Sequence, residues 1–150
     1  MHMKTKSALV VFTGLLVAFA TIFLFDYTDD YMEDRFVQAI EKQKTYAGDT
    51  FSLDALMEYY DWDVVCILLP DEEHSLKNRL GRPYKGKKIS PDSWSLIFVK
   101  GKSVLAEIPI ARSFLQPPLQ LEEPCFERWA AIFSINHDQN GDLRLFVVGQ

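Results

Sequence analysis

The chain has 150 residues, with 16 Lys plus Arg against 21 Asp plus Glu and a net charge of −5. That length suits a single domain, and that charge excludes a protein built to coat nucleic acid phosphates. A hydrophobic content of 48% with seven Gly and seven Pro excludes a disordered or collagen-like chain, and two cysteines exclude both a disulfide-dense miniprotein and a four-thiolate zinc site.

Residues 8–25 form 18 successive positions without a charge. At the rise of a helix they reach roughly 27 Å, close to the hydrocarbon thickness of a bilayer. Lys4 and Lys6 precede this run, and Asp26, Asp29, Asp30, Glu33 and Asp34 follow it. The positive-inside rule then leaves residues 1–7 in the cytoplasm, makes 8–25 a transmembrane anchor and exports 26–150 to the periplasm. Ala18-Phe19-Ala20 offers a signal-peptidase site as the competing reading, although the apolar run continues past it through Phe25. Whether the segment is cut stays open. Gly14 and Ala18 form a small-xxx-small pair of the kind that lets two such helices approach as a homodimer, although an occurrence with no packing role is the favoured reading. The exported part holds all 21 acids and 14 of the bases, so it carries −7.

From Asp26 to Tyr46 there is no Gly or Pro, and Met32, Phe36 and Ile40 recur at helical spacing, which predicts a helix continuing from the membrane. Ser52 is placed to cap a short helix with Leu53, Leu56, Met57 and Tyr60 on one stripe. Val64 to Leu69 is continuously apolar and ends at Pro70, the pattern of a strand buried on both faces at the centre of a sheet. Asp71, Glu72 and Glu73 open a helix that Lys77 and Arg79 close before Gly81, matching the helix dipole at both ends.

Trp94–Val99 and Ser103–Ile108 flank Lys100-Gly101-Lys102 as a hairpin, with Pro109 closing the second strand. Ala130–Ile135 and Leu143–Val148 flank Asn140-Gly141 as another. The expected fold is α+β: a transmembrane helix followed by an antiparallel sheet of about five strands with helices on one face.

Few constellations carry chemistry. Asp138, Asn140 and Asp142 alternate oxygen ligands as a calcium loop does, but the twelfth position falls on Gly149, so a plain turn is favoured. His2, His74 and His137 form no metal-binding pair, and no metal or cofactor is expected. Neither a G-x-S-x-G element nor a phosphate-binding Gly-rich loop is present, so the dispersed carboxylates read as a solvated face and no catalytic residue is assigned. Cys66 and Cys125 are candidates for a disulfide in an oxidising compartment.

Two features point to surfaces. Arg79, Arg82, Tyr84, Lys85, Lys87 and Lys88 lie in an acid-free run that suits anionic headgroups or an acidic partner, or simply balances the acidic domain. In Tyr59-Tyr60-Asp61-Trp62-Asp63 large rings alternate with acids as partner-binding anchors do, although Trp62 also reads as the lead into the buried strand.

The run Tyr60-Asp61-Trp62-Asp63-Val64-Val65, with Pro70 after the strand and Leu80-Gly81 after the helix, resembles a pattern in small bacterial exported and membrane-anchored domains. The overall plan of a short cytoplasmic start, one membrane helix and an acidic exported domain is also similar to that of immunity proteins against colicin M-type bacteriocins, the pyocin M group included. That resemblance implies an inner-membrane protein facing the periplasm, whose partner is a protein toxin that degrades the lipid-linked peptidoglycan precursor. The expected function is therefore non-enzymatic toxin binding. An anchored envelope enzyme or accessory subunit is the alternative, gathering Asp61, Asp63 or Glu107 with His74 or His137, and a structural component of an envelope complex is another.

Overall fold

A computed structural model describes residues 28–87 and 89–149, together with residues 11 and 13. Residues 28–43 are helical and form α1. Met32, Phe36 and Ile40 are its buried positions, one stripe at 3.6 residues per turn. After it come β1 (Thr50–Ser52), α2 (Leu53–Leu56), β2 (Val64–Leu68), α3 (Lys77–Leu80), β3 (Ser93–Lys100), β4 (Ser103–Ala111), β5 (Cys125–Glu127), β6 (Ile132–His137) and β7 (Leu143–Val147).

The strands make two antiparallel sheets, a three-stranded one ordered β1-β6-β7 and a four-stranded one ordered β4-β3-β2-β5. The single sheet of about five strands is thereby corrected. The two hairpins fall in different sheets, because β6 pairs with β1 from the front of the domain, Phe51 opposite Phe133. Strands of three residues such as β1 and β5 are too short to show a period, so their pairing depends on distant partners. Among the described residues no helix is long and apolar enough to cross a membrane. The run at 8–25 that was expected to span lies outside the described residues, apart from 11 and 13.

The helices expected on one face are also corrected, because the four-stranded sheet is covered on both. Val65, Ile67, Leu96, Phe98, Ile108 and Phe126 join α1 and the three-stranded sheet in one core. Val64, Cys66, Leu68, Ile97 and Val99 join Leu76 and Leu80 in a second. Alternation along a strand sends successive side chains to opposite faces, and with apolar residues throughout β2 and from Leu96 to Val99 of β3 both strands feed both cores.

Local expectations shift in three places. Helix α2 is a single turn, and the Ser52 side chain makes no capping bond. Only Lys77–Leu80 is α-helical in the third segment, and Asp71 sits at φ 62°, so the acids 71–73 precede the helix and do not cap its dipole. Strand β4 runs through Pro109 to Ala111. The N–H of Glu107 faces away from β3, towards Asp29 Oδ1 at 3.4 Å, and Pro109 two residues on shares that free edge, so its missing N–H costs the ladder nothing.

Candidate functional site

Arg128 organises the edge that carries most of the expected partner-binding residues. It comes directly after β5, and its backbone N–H donates to Asp63 O at 2.8 Å. Its Nη1 donates to Tyr60 O at 2.9 Å and Trp62 O at 3.2 Å, its Nη2 to Glu58 O at 3.3 Å, and its Nε to Asp54. The guanidinium also lies 4.9 Å from the centre of the Trp62 ring. A fixed planar fork suits several carbonyls of one turn, since its donors point in set directions.

That clamp sorts the residues of the 59–63 turn. Trp62 is a core residue, 1% exposed, edge-on to Phe98 at 5.2 Å and donating from Nε1 to Met57 O. Its expected role as a partner anchor is corrected, because a ring enclosed by the core presents no face to a partner. Tyr60 is half-buried against the core. Tyr59 is 77% exposed, with the Arg35 guanidinium 5.3 Å from its ring centre. Asp61 and Asp63 share Lys100 Nζ at 2.8 and 3.0 Å. Asp63 also accepts the Gly101 N–H, which, with Lys100, holds its carboxyl below the ordinary 3.8. The bonds to Asp61 and Asp63 raise Lys100 in turn.

Trp129, next to Arg128, is 79% exposed. Sequence reasoning passed over both residues. The available signal was an Arg-Trp pair three residues after a cysteine, a pattern with no period to mark it as surface.

The basic residues do not form one site. Arg79 lies 3.5 Å from Glu127, and Lys85 lies 3.6 Å from Glu73. Arg82, Tyr84 and Lys87 instead line a cavity of about 270 Å³ with Asp29 and Glu107. Lys88 lies outside the described residues. The loop is held from beneath by Glu107, 2% exposed, which accepts the Tyr84 hydroxyl at 2.8 Å and the Lys87 N–H at 2.9 and 3.0 Å. Burial, with the Glu107 carboxylate beside it, pushes the Tyr84 phenol well up. Gly86 has φ +77°, and a Cβ there would meet Glu107 Oε1 at 3.0 Å, so this turn needs the residue that tolerates a left-handed backbone and close approach.

Cys66 and Cys125 are joined by a disulfide across directly opposed positions of β2 and β5. Asp138 accepts the Asn140 and Asp142 N–H groups through Oδ1 and Arg144 Nε and Nη2 through Oδ2. Its carboxylate serves the turn, and the Arg144 bonds hold its pKa below 3.8. Asp61 and Asp63 hold Lys100, Glu107 holds the 84–87 loop, His74 is 3.6 Å from Glu73, and His137 Nδ1 meets Gly141 O at 3.0 Å. Apart from Asp61 and Asp63, which share Lys100, the groups that a hydrolytic site would gather thus have separate partners.

Set against protein-family models, curated proteins and solved structures, the chain matches none.

Proposed function

We propose that the chain is a periplasmic protein-binding domain held at the bacterial inner membrane, and in its most specific form an immunity protein that neutralises a colicin M-type bacteriocin attacking lipid-linked peptidoglycan precursor. One observation carries the binding role. Tyr59 and Trp129, 77% and 79% exposed, stand on two segments that Arg128 ties together. Large rings left in water on a rigid edge are what protein interfaces bury.

The Cys66–Cys125 disulfide fits an oxidising compartment, and the charge asymmetry around residues 8–25 fits export of residues 26–150. Tethering raises the local concentration of a binder where its toxin acts, so encounter no longer depends on diffusion through the whole periplasm. The test is challenge with M-type bacteriocins of sensitive cells with and without the gene. Survival of the carriers is the expected result, and equal killing by every toxin tested removes the immunity reading.

A further inference from the structure

The cavity of about 270 Å³ beside Tyr84 lies along β4, an outer strand of the four-stranded sheet. Residues of that strand line one side, and two acids and two bases, Asp29, Glu107, Arg82 and Lys87, surround the rest. Glu107 is already spent, because its oxygens accept the Tyr84 hydroxyl, the Lys87 N–H and the Ser95 hydroxyl. Asp29, near the start of α1, has Oδ1 3.4 Å from the Glu107 nitrogen. The bases differ from the acids. Among the described residues, neither the Arg82 guanidinium nor the Lys87 ammonium has a hydrogen-bond or ion-pair partner.

Two unpaired cations at a cavity call for an anion, yet a simple anion would also face two carboxylates. The four charges sum to zero, so the cavity suits a ligand that carries both signs. Its place in the chain indicates which. Asp29 comes four residues after Phe25, the last residue of the charge-free run, a separation of about 6 Å in a helix and at most about 14 Å in an extended chain. The headgroup layer on each side of a bilayer is about 5–8 Å thick. With that run as the membrane-held part, the cavity lies at or just above the headgroups.

We propose that the cavity between α1, β4 and the 82–87 loop binds the phosphoethanolamine headgroup of a membrane lipid, Arg82 and Lys87 holding the phosphate and Asp29 the ammonium. This rests on the membrane-held half of the reading above and is independent of the toxin. Guanidinium and ammonium donors make charge-assisted bonds to phosphate, and a primary ammonium brings three N–H donors to a carboxylate. Choline has no N–H to donate, and phosphatidylglycerol has no cation for Asp29. The volume is just under the roughly 300 Å³ at which drug-sized sites begin, which fits a small headgroup whose acyl chains stay in the bilayer. Glu107 is a positioning residue, since it fixes the loop that carries Lys87.

Native mass spectrometry of the full-length chain in detergent, titrated with phosphatidylethanolamine, phosphatidylglycerol and phosphatidylcholine of matched chains, tests the site. Phosphatidylethanolamine is expected to bind about tenfold more tightly than either of the others. Arg82→Gln with Lys87→Gln, which keeps the Lys87 N–H bonded to Glu107, is expected to abolish that advantage. Asp29→Asn is expected to bring phosphatidylglycerol level with phosphatidylethanolamine. Lys77→Gln with Lys85→Gln removes as much charge outside the cavity lining and is expected to bind as wild type. Equal binding of the three lipids by the wild-type chain, a preference for phosphatidylglycerol, or an equal loss in the Lys77 and Lys85 variant overturns the site. Glycerophosphoethanolamine, the headgroup without chains, is expected to bind about 100-fold more weakly than the lipid, because the anchor holds the cavity beside the lipid. Equal binding of the two overturns the membrane as the source. Flotation with phosphatidylcholine vesicles reads attachment separately: a chain that floats but shows no headgroup preference loses only this proposal, and one that floats with no vesicle loses the membrane-held reading as well.

Discussion

Arg128 shows how one side chain can replace secondary structure. The 57–63 turn has neither a helix nor a ladder to satisfy its carbonyls at Glu58, Tyr60 and Trp62, and buried or half-buried carbonyls without partners are costly. The guanidinium supplies the donors. Arg128→Ala should lower stability by about 2–3 kcal/mol, the loss expected for several hydrogen bonds to a charged group, and amide exchange in residues 57–63 should accelerate. Arg128→Lys restores the charge without the fork, so exchange should stay fast if geometry is what matters. Urea melts and hydrogen exchange measure both.

Titration at single residues sets the pH range of the fold. Asp63 and Asp138 lie below the ordinary 3.8 when folded, so their stabilisation is present above that value and is lost as pH falls through the lower folded values. Asp138→Asn should therefore flatten the acid limb of a plot of Tm against pH. Tyr84 moves the other way, its folded pKa standing above 10.0. The phenol is favoured neutral in the fold, its contribution is complete below pH 10, and it declines as the unfolded chain ionises above that. Lys100 is raised from 10.5, so its contribution is present below that value and is lost as pH climbs through its folded value. Tyr84→Phe should remove part of the alkaline decline and leave the remainder to Lys100.

Among the elements, β5 is the one that depends most on a covalent link. Three residues pair it to β2, too few to hold an edge strand in register unaided. The disulfide closes a loop with a sequence separation of 59, for which chain entropy suggests about 4 kcal/mol. Cys66→Ser with Cys125→Ser should cost that order in urea unfolding. Exchange at β5 and at the adjoining Arg128–Trp129 segment should rise ahead of β3 and β4, because the clamp is anchored through β5.

The elements also divide by how local their cause is. The stripe of Met32, Phe36 and Ile40 is readable because helix period and burial coincide, and Val64–Leu68 because an unbroken apolar run ending near a proline has few other fates. The 71–76 segment is not readable as helix, since its acids suit a helix start but Asp71 takes a left-handed turn. Glu107 is half readable. An acid inside Leu105-Ala106-Glu107-Ile108 is anomalous in any strand, yet only the fold shows that its partners are Tyr84 and the Lys87 N–H.

For the molecule as a whole, the four-stranded sheet is the common wall of two cores, so a truncation on either side should be felt in one cooperative transition. Phe36→Ala removes a ring that is 1% exposed from the core shared with α1. Leu76→Ala does the equivalent on the opposite face. Each should cost about 2–5 kcal/mol, and circular dichroism and Trp fluorescence should report the same urea midpoint for each variant. Separate midpoints would show that the two cores melt independently.

The sequence by itself determined the acidic balance, the charge-free run at 8–25, the helical stripe of α1 and the hairpin-forming runs around Gly101 and Gly141, because each arises from neighbours within a few turns or one strand. Only the tertiary structure decided that those hairpins belong to different sheets, that Trp62 turns inward while Tyr59 and Trp129 remain in water, and that Arg128 and Glu107 hold the loops on opposite sides of the wall. Those outcomes depend on contacts between residues far apart in the chain, and a local pattern encodes a residue's wish for burial or a partner without saying which distant surface will supply it.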